Sequence, residues 1–102
     1  MHLPFCVYIL FSDLDHLLYI GFTTNLDERI KRHNAGRNKS TAPRRPLKLI
    51  FSEHYLFKED ALKRERYFKT NMGKKAIKLM LNGTLEKMKY KNPGTGIEII
   101  SD

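Results

Sequence analysis

The sequence predicts one small α/β domain: a β-hairpin, an amphipathic helix, then a third strand and further helices. Three observations carry this. Residues 5–11, FCVYILF, form a continuous apolar run of strand length, rich in β-branched and aromatic side chains. Residues 17–22, LLYIGF, form a second such run, and Ser12, Asp13 and Asp15 between the two are turn formers. Past that point the period changes, with Leu26 and Ile30 at helical spacing inside a charged stretch. A chain of 102 residues fits one domain with one modest core.

A turn symmetric about residues 13 and 14 sets Tyr8 opposite Tyr19. Val7, Ile9 and Phe11 then share a core face with Leu18, Ile20 and Phe22. Cys6, Tyr8 and Leu10 share the other face with Leu17, Tyr19 and Gly21. Two tyrosines beside a glycine make either a small open platform or a simple cross-strand packing pair. The helix predicted over Leu26–Ala35 has two capping pairs at its start, Thr24 with Asp27 and Asn25 with Glu28, and Gly36 as its stop. Arg29 and His33 lie four residues apart on this helix. They project from one face, about a turn apart, at the border of the apolar stripe.

Residues 37–46 hold four basic side chains and two prolines, and read as an extended exposed loop in which Pro43 and Pro46 exclude helix. Arg37, Lys39, Ser40, Thr41, Arg44 and Arg45 suit phosphate contacts there, or simply form a solvated surface. Leu47–His54 reads as the third strand, with Leu47, Leu49 and Phe51 alternating. On a helix over residues 58–70, Ala61, Leu62 and Phe68 form an apolar stripe that Met72 continues, with Glu65 at its centre. A carboxylate there is expensive unless it pairs, Arg29 being the foremost partner, or binds a cation. Gly73 interrupts, and Lys74–Leu81 forms a basic third helix with Ile77 and Met80 or Leu81 inward. Asn82-Gly83 stops it, and residues 84–91 add up to two further turns. Asn92-Pro93-Gly94 breaks the chain again, and the tail 96–102 is a short strand or disordered.

The net charge of +8 and pI near 9.7 favour an anionic partner, nucleic acid before membrane. The single cysteine forms no internal disulfide and fits a reducing compartment. His2, His16, His33 and His54 show no metal-site spacing among themselves. The apolar stretch from Leu3 to Phe11 is too short to span a membrane and lacks the features of a signal peptide, so the expected location is cytoplasmic.

Taken in order, these residues resemble the GIY-YIG nuclease superfamily, in its short single-domain bacterial branch. The resemblance is carried by Val7-Tyr8, Tyr19-Ile20-Gly21, Thr23-Thr24-Asn25-Leu26, Arg29 and Arg32-His33-Asn34. Ser40-Thr41-Ala42 with Pro46, and Ala61-Leu62-Lys63-Arg64-Glu65, extend it. It covers residues 4–82, which gives a nuclease-like domain over 1–82 and a C-terminal extension over 83–102 of unknown role. Cys6 stands where the signature has its first glycine, and Asn71 and Asn82 are the nearest candidates for an asparagine that follows the metal-binding helix.

The resemblance implies a three-stranded antiparallel sheet flanked by helices, and an active site of Tyr8, Tyr19, Arg29 and His33, with Glu65 as metal ligand. It implies a phosphodiester hydrolase, an endonuclease acting on DNA with one Mg2+ or Mn2+ ion. On this expectation Tyr8 is the general base and Tyr19 positions the water, or the two exchange roles, while Arg29 binds phosphate oxygens and His33 assists the base or hydrogen-bonds the phosphate. Specificity is expected to be weak or structure-directed, or supplied by a targeting protein partner. The rival reading is a nucleic-acid-binding module with the same fold and little or no cleavage.

Overall fold

In a computed structural model of the chain, residues 2–89 are described, together with the backbone of residues 99 and 100. The elements are β1 (Phe5–Ser12), β2 (Leu18–Thr23), α1 (Leu26–Asn34), β3 (Leu47–Tyr55), α2 (Lys58–Phe68), α3 (Asn71–Met80), α4 (Asn82–Lys87) and β4 (Ile99–Ile100). The sheet order is β3-β1-β2-β4. β1 pairs antiparallel with both β2 and β3, which is the expected three-stranded sheet, and β4 adds a two-residue parallel edge beside β2. The predicted break at 92–94 lies outside the described residues. So does the tail apart from β4.

β1 is the central strand, and helices cover both of its faces. That explains why its sequence is continuously apolar rather than alternating. On one face Val7, Ile9, Phe11, Leu18 and Ile20 pack with Ala61 and Phe68 of α2, Ile77 of α3 and Leu85 of α4. On the other, Cys6, Tyr8, Leu10, Tyr19 and Leu47 pack against Leu26 and Ile30 of α1. The two faces hold the residues the sequence assigns to them, but the register differs. Tyr8 lies opposite Gly21, and Tyr19 opposite Leu10. The reason is a longer turn, centred between residues 14 and 15. Ser12 Oγ accepts the amides of Leu14 and Asp15, Asp15 Oδ1 accepts that of Leu17, and His16 takes a positive φ of 61°. A shift of two residues keeps every side chain on its own face.

The alternation expected in β3 is also broken. Ile9 pairs with Phe51 and Leu10 with Leu49, so Ile50 is an extra residue, a β-bulge. Leu47 therefore joins the α1 face, whereas Phe51 turns to the other and meets Phe68 edge to face at 6.1 Å. The loop before β3 is not extended throughout, because Pro43 sits in a single 3-10 turn, Ala42–Arg44.

α1 begins where Asn25 accepts the Glu28 amide at 3.2 Å, which selects the second of the two predicted caps, and Gly36 follows its end at φ +77°. Asn34 clamps α1 to β3. Its Nδ2 donates to the Leu47 carbonyl at 3.0 Å, and its Oδ1 accepts the Leu47 amide at 2.9 Å. Gly73 does not interrupt a helix. It lies in the first turn of α3, whose start is capped by Thr70 Oγ1 accepting the Gly73 amide at 3.0 Å. Met72 does not extend the α2 stripe, because α3 carries it outward to 73% exposure. Ile77 points inward as expected, with Leu81 rather than Met80 beside it. Asn82-Gly83 opens α4 instead of ending the helical run.

A Cβ at Gly73 would overlap the backbone carbonyl of Tyr67 at the end of α2, and backbone cannot yield as a side-chain tip can. Gly73→Ala is therefore expected to destabilise the fold by about 1–3 kcal/mol, the usual cost of overpacking. Urea unfolding at constant m-value would measure it. Unchanged stability would mean that α3 slides over α2 at no cost.

Candidate active site

The site is built on the α1 face of the sheet. His33 follows Leu26 and Ile30 at helical spacing, so it belongs to the buried stripe rather than its border, and it is fully buried. Its Nε2 lies 2.8 Å from the Tyr8 hydroxyl and its Nδ1 lies 2.7 Å from Thr41 Oγ1. The His33 ring stands edge-on to both tyrosines, 5.8 Å from Tyr8 and 4.9 Å from Tyr19, and the two tyrosine rings are 6.1 Å apart. The sequence expectation of tyrosines side by side with His33 nearby therefore holds in space, although the two are diagonal rather than opposite.

Gly21 makes this possible. The Tyr8 phenol lies across its Cα, where a Cβ would collide with the ring. The tyrosines are consequently not an open platform, since Tyr8 is fully buried and Tyr19 is 3% exposed. Cys6 lies on the same face and is also buried, so a side chain fits where the family signature has glycine.

Arg29 sits one turn before His33, half-buried, and its guanidinium has no hydrogen-bond or ion-pair partner among the described residues. Glu65 lies on the sheet-facing stripe of α2, between buried Ala61 and Phe68 as the sequence predicts, with 20% of its side chain exposed. Its partner is Lys69 at 3.6 Å, not Arg29. α1 packs on the opposite face of the sheet from α2, whereas Lys69 is the next turn of the same helix. The hydrogen bonds and ring contacts thus unite Tyr8, Tyr19, His33 and Thr41, and they leave Arg29 and Glu65 outside that network. Asn71 and Asn82 are both exposed.

A divalent cation would find one carboxylate here. No group of three or more His, Cys, Asp or Glu among the described residues could hold a metal. Such a donor set suits magnesium, which keeps several waters and shares substrate phosphates, and it does not suit a protein-enclosed ion. Glu65 fits that role once the Lys69 ammonium gives way.

The six proposed phosphate contacts divide. Thr41 is fully buried on His33 and cannot touch a phosphate from that position. Arg44 is engaged internally: its Nε is 2.9 Å from Asp15 Oδ2, its Nη1 donates to the Ser40 carbonyl at 2.9 Å, and its own carbonyl accepts Ser12 Oγ at 2.6 Å. Ser40 Oγ donates to Asn38 Oδ1 at 2.8 Å. Arg37, Lys39 and Arg45 are exposed, with Arg45 Nε donating to the Ala42 carbonyl at 2.8 Å. Sequence reasoning missed the structural parts of Ser12, Asn34 and Thr41. Ser12, placed at a turn, carried the only local signal, the tendency of a hydroxyl to accept amides just beyond it.

The GIY-YIG catalytic domain profile matches residues 4–78. The chain belongs to the GIY-YIG family. UPF0213 protein SH2523 of Staphylococcus haemolyticus is 40% identical over 67 residues, 65% of this chain and 82% of that protein. UPF0213 protein YazA of Bacillus subtilis is 44% identical over 62 residues, 60% of this chain and 63% of that protein. The UPF0213 protein in the ldhD 5' region of Pediococcus acidilactici is 35% identical over 81 residues, 76% of this chain and 82% of that protein. No solved structure matches the chain. GIY-YIG membership implies a nuclease-family function and a nucleic-acid substrate. No helix among the described residues is long and apolar enough to cross a membrane.

Beside Glu65 in sequence, Arg64 serves a separate cluster on β3. Its Nε donates to Glu53 Oε1 at 2.6 Å, the Tyr55 hydroxyl donates to the same oxygen at 2.6 Å, and its guanidinium lies 4.3 Å over the Phe68 ring. Burial, then the Glu53 hydrogen bond and charge, push the Tyr55 phenol up to about 12 from 10.0. The folded state thus holds this proton more tightly than the unfolded chain. The stabilisation is complete below pH 10 and is lost as pH rises through 12. Denaturation curves across that window are expected to show wild type losing stability relative to Tyr55→Phe; parallel curves would refute the assignment.

Burial, with the Glu53 carboxylate adding to it, also pushes the Cys6 thiol up to about 11. Iodoacetamide at about pH 8 is accordingly expected to modify Cys6 slowly in the folded protein and readily in denaturant, since the thiolate is the nucleophile. Mass spectrometry of a time course reads the difference, and equal rates would contradict the burial.

Proposed function

We propose that this GIY-YIG protein is a divalent-metal-dependent endonuclease that hydrolyses phosphodiester bonds in DNA with weak or structure-directed specificity. The observation that carries the reading is the 2.8 Å hydrogen bond between the Tyr8 hydroxyl and His33 Nε2, in a chain of a nuclease family. A phenol with a free pKa of about 10 is a poor base near neutrality unless its own proton has somewhere to go. His33 offers that acceptor to Tyr8. Tyr8 is therefore assigned as general base and Tyr19, whose ring lies 6.1 Å from it, as the residue that orients the attacking water. Arg29, with its fork of donors uncommitted, binds the non-bridging phosphate oxygens. Glu65 is the residue that would hold one Mg2+ or Mn2+ ion, which when bound supplies charge stabilisation to the phosphorane-like transition state and the leaving oxygen. Arg37, Lys39 and Arg45, exposed on the segment before β3, are assigned as phosphate contacts.

A second reading, a nucleic-acid-binding module with little or no cleavage, draws on two observations. Tyr8 and His33 are fully buried, and Glu65 is paired with Lys69. Both are what a purely structural network would look like.

One assay decides between them. Labelled duplex, single-stranded, flapped and branched DNA, and RNA, are incubated with Mg2+ or Mn2+ against EDTA. Wild type is compared with Glu65→Ala and Tyr8→Phe purified identically. Metal-dependent cleavage of DNA is expected in wild type, and a loss of at least about 100-fold in each variant. Tight binding without cleavage by any of the three, at alkaline pH as well, would establish the second reading. Equal cleavage by all three would identify a contaminant and reject the assignment.

A further inference from the structure

Thr41 hydroxyl chemistry sets the direction in which a proton can move through this site. We infer that Thr41 is a positioning residue whose hydroxyl fixes the His33 proton on Nδ1, leaving Nε2 free to take the proton of Tyr8. The inference rests on the hydrolase reading for its purpose, but not for its test.

A neutral imidazole carries one N–H and one bare nitrogen, and a hydroxyl carries one proton. Thr41 Oγ1 lies 2.7 Å from His33 Nδ1 and 3.5 Å from the Asn38 carbonyl oxygen. A carbonyl only accepts, so the single Thr41 hydroxyl hydrogen serves both contacts only when it points at Asn38 and Nδ1 brings the other. Oγ1 then presents a lone pair to Nδ1, and Nδ1 must carry the hydrogen. The chain reads consistently from end to end: Tyr8 O–H to Nε2, Nδ1–H to Thr41 Oγ1, Thr41 O–H to the Asn38 carbonyl. The opposite polarity would place the hydrogen on Nε2, pointing at the phenol oxygen, and His33 could accept nothing from Tyr8.

The backbone around Thr41 is held on both sides. Its amide donates to the Asn38 carbonyl at 3.2 Å, and its own carbonyl accepts the Arg44 amide at 2.8 Å. The hydroxyl is fully buried, so its direction is set by the protein. When Tyr8 gives up its proton, the phenol O–H bond breaks and an Nε2–H bond forms. The resulting imidazolium keeps the Nδ1–H···Oγ1 bond it already had, and no ring rotation is required. The burial that removes Thr41 from the phosphate-binding set is what this role needs.

The test is long-range 1H–15N correlation on protein labelled at histidine nitrogens, with His33 assigned by comparison with His33→Gln. Wild type and Thr41→Ser are expected to show His33 protonated at Nδ1 with a bare Nε2. Thr41→Val, of nearly the same shape, is expected to shift His33 toward the Nε2–H form. In cleavage assays Thr41→Val is expected to lower kcat by about tenfold or more with KM unchanged, and Thr41→Ser to restore it. Two results would overturn the inference: a wild-type His33 protonated at Nε2, or a Thr41→Val protein with the wild-type tautomer. The wild-type spectrum needs no variant to fold and no nuclease activity, so a failure of the hydrolase reading is told apart from a failure of this one.

Discussion

A fully buried imidazole must find partners for both ring nitrogens inside the protein. Much of this structure follows from meeting that condition at His33. One nitrogen is met by the central strand through Tyr8, the other by the loop that precedes β3 through Thr41. The ring edge closes the cluster against Tyr19 of β2. The hairpin, α1 and the loop are thereby joined through one side chain. A residue such as leucine at 33 would fill similar space, yet it would leave two hydroxyls buried on the same face without this partner.

The loop can supply a hydroxyl at a fixed place because it is itself anchored. Asn34 ties its far end to α1 through both backbone groups of Leu47. Ser12 and Asp15 in the hairpin turn hold Arg44 by its carbonyl and its guanidinium. Two basic residues that charge alone would assign to a partner are thus distinguished by geometry. Arg44 is internal mortar, while Lys39 faces solvent. The hairpin turn thereby holds a residue 32 positions further along the chain.

The division of the sheet into two faces was legible from period alone, because the helices on either side leave β1 no polar position. Tyr8, Tyr19 and His33 were named from their motif positions and do meet in space, whereas Arg29 and Glu65, named in the same way, stand outside that network. What escaped sequence reading was relative displacement. The two-residue shift that sets Tyr8 over Gly21 depends on turn hydrogen bonds, and period-two patterning is blind to any even shift. The bulge at Ile50 defeats alternation in the same way, since one unpaired residue sends Leu47 and Phe51 to different faces. The Glu65 partner was misread because the expensive carboxylate was matched to the motif arginine, whereas Lys69 stands one turn further along the same helix. Thr41 looked like surface because nothing local marks a threonine whose partner is eight residues back on a helix.

The strand order has a consequence for how the site comes into being. β1 pairs with β2 across a short turn, but with β3 only after the 34 residues that separate Ser12 from Leu47. The first pairing is a local event and the second a distant one, with a correspondingly larger loop-closure entropy. The hairpin can bring Tyr8 and Tyr19 together by itself. Thr41 reaches His33 only when the segment leading into β3 has docked, so the hydrogen bond between them forms together with the long-range pairing. Opening of that segment would take Thr41 away from His33 while leaving the two phenols on their ribbon.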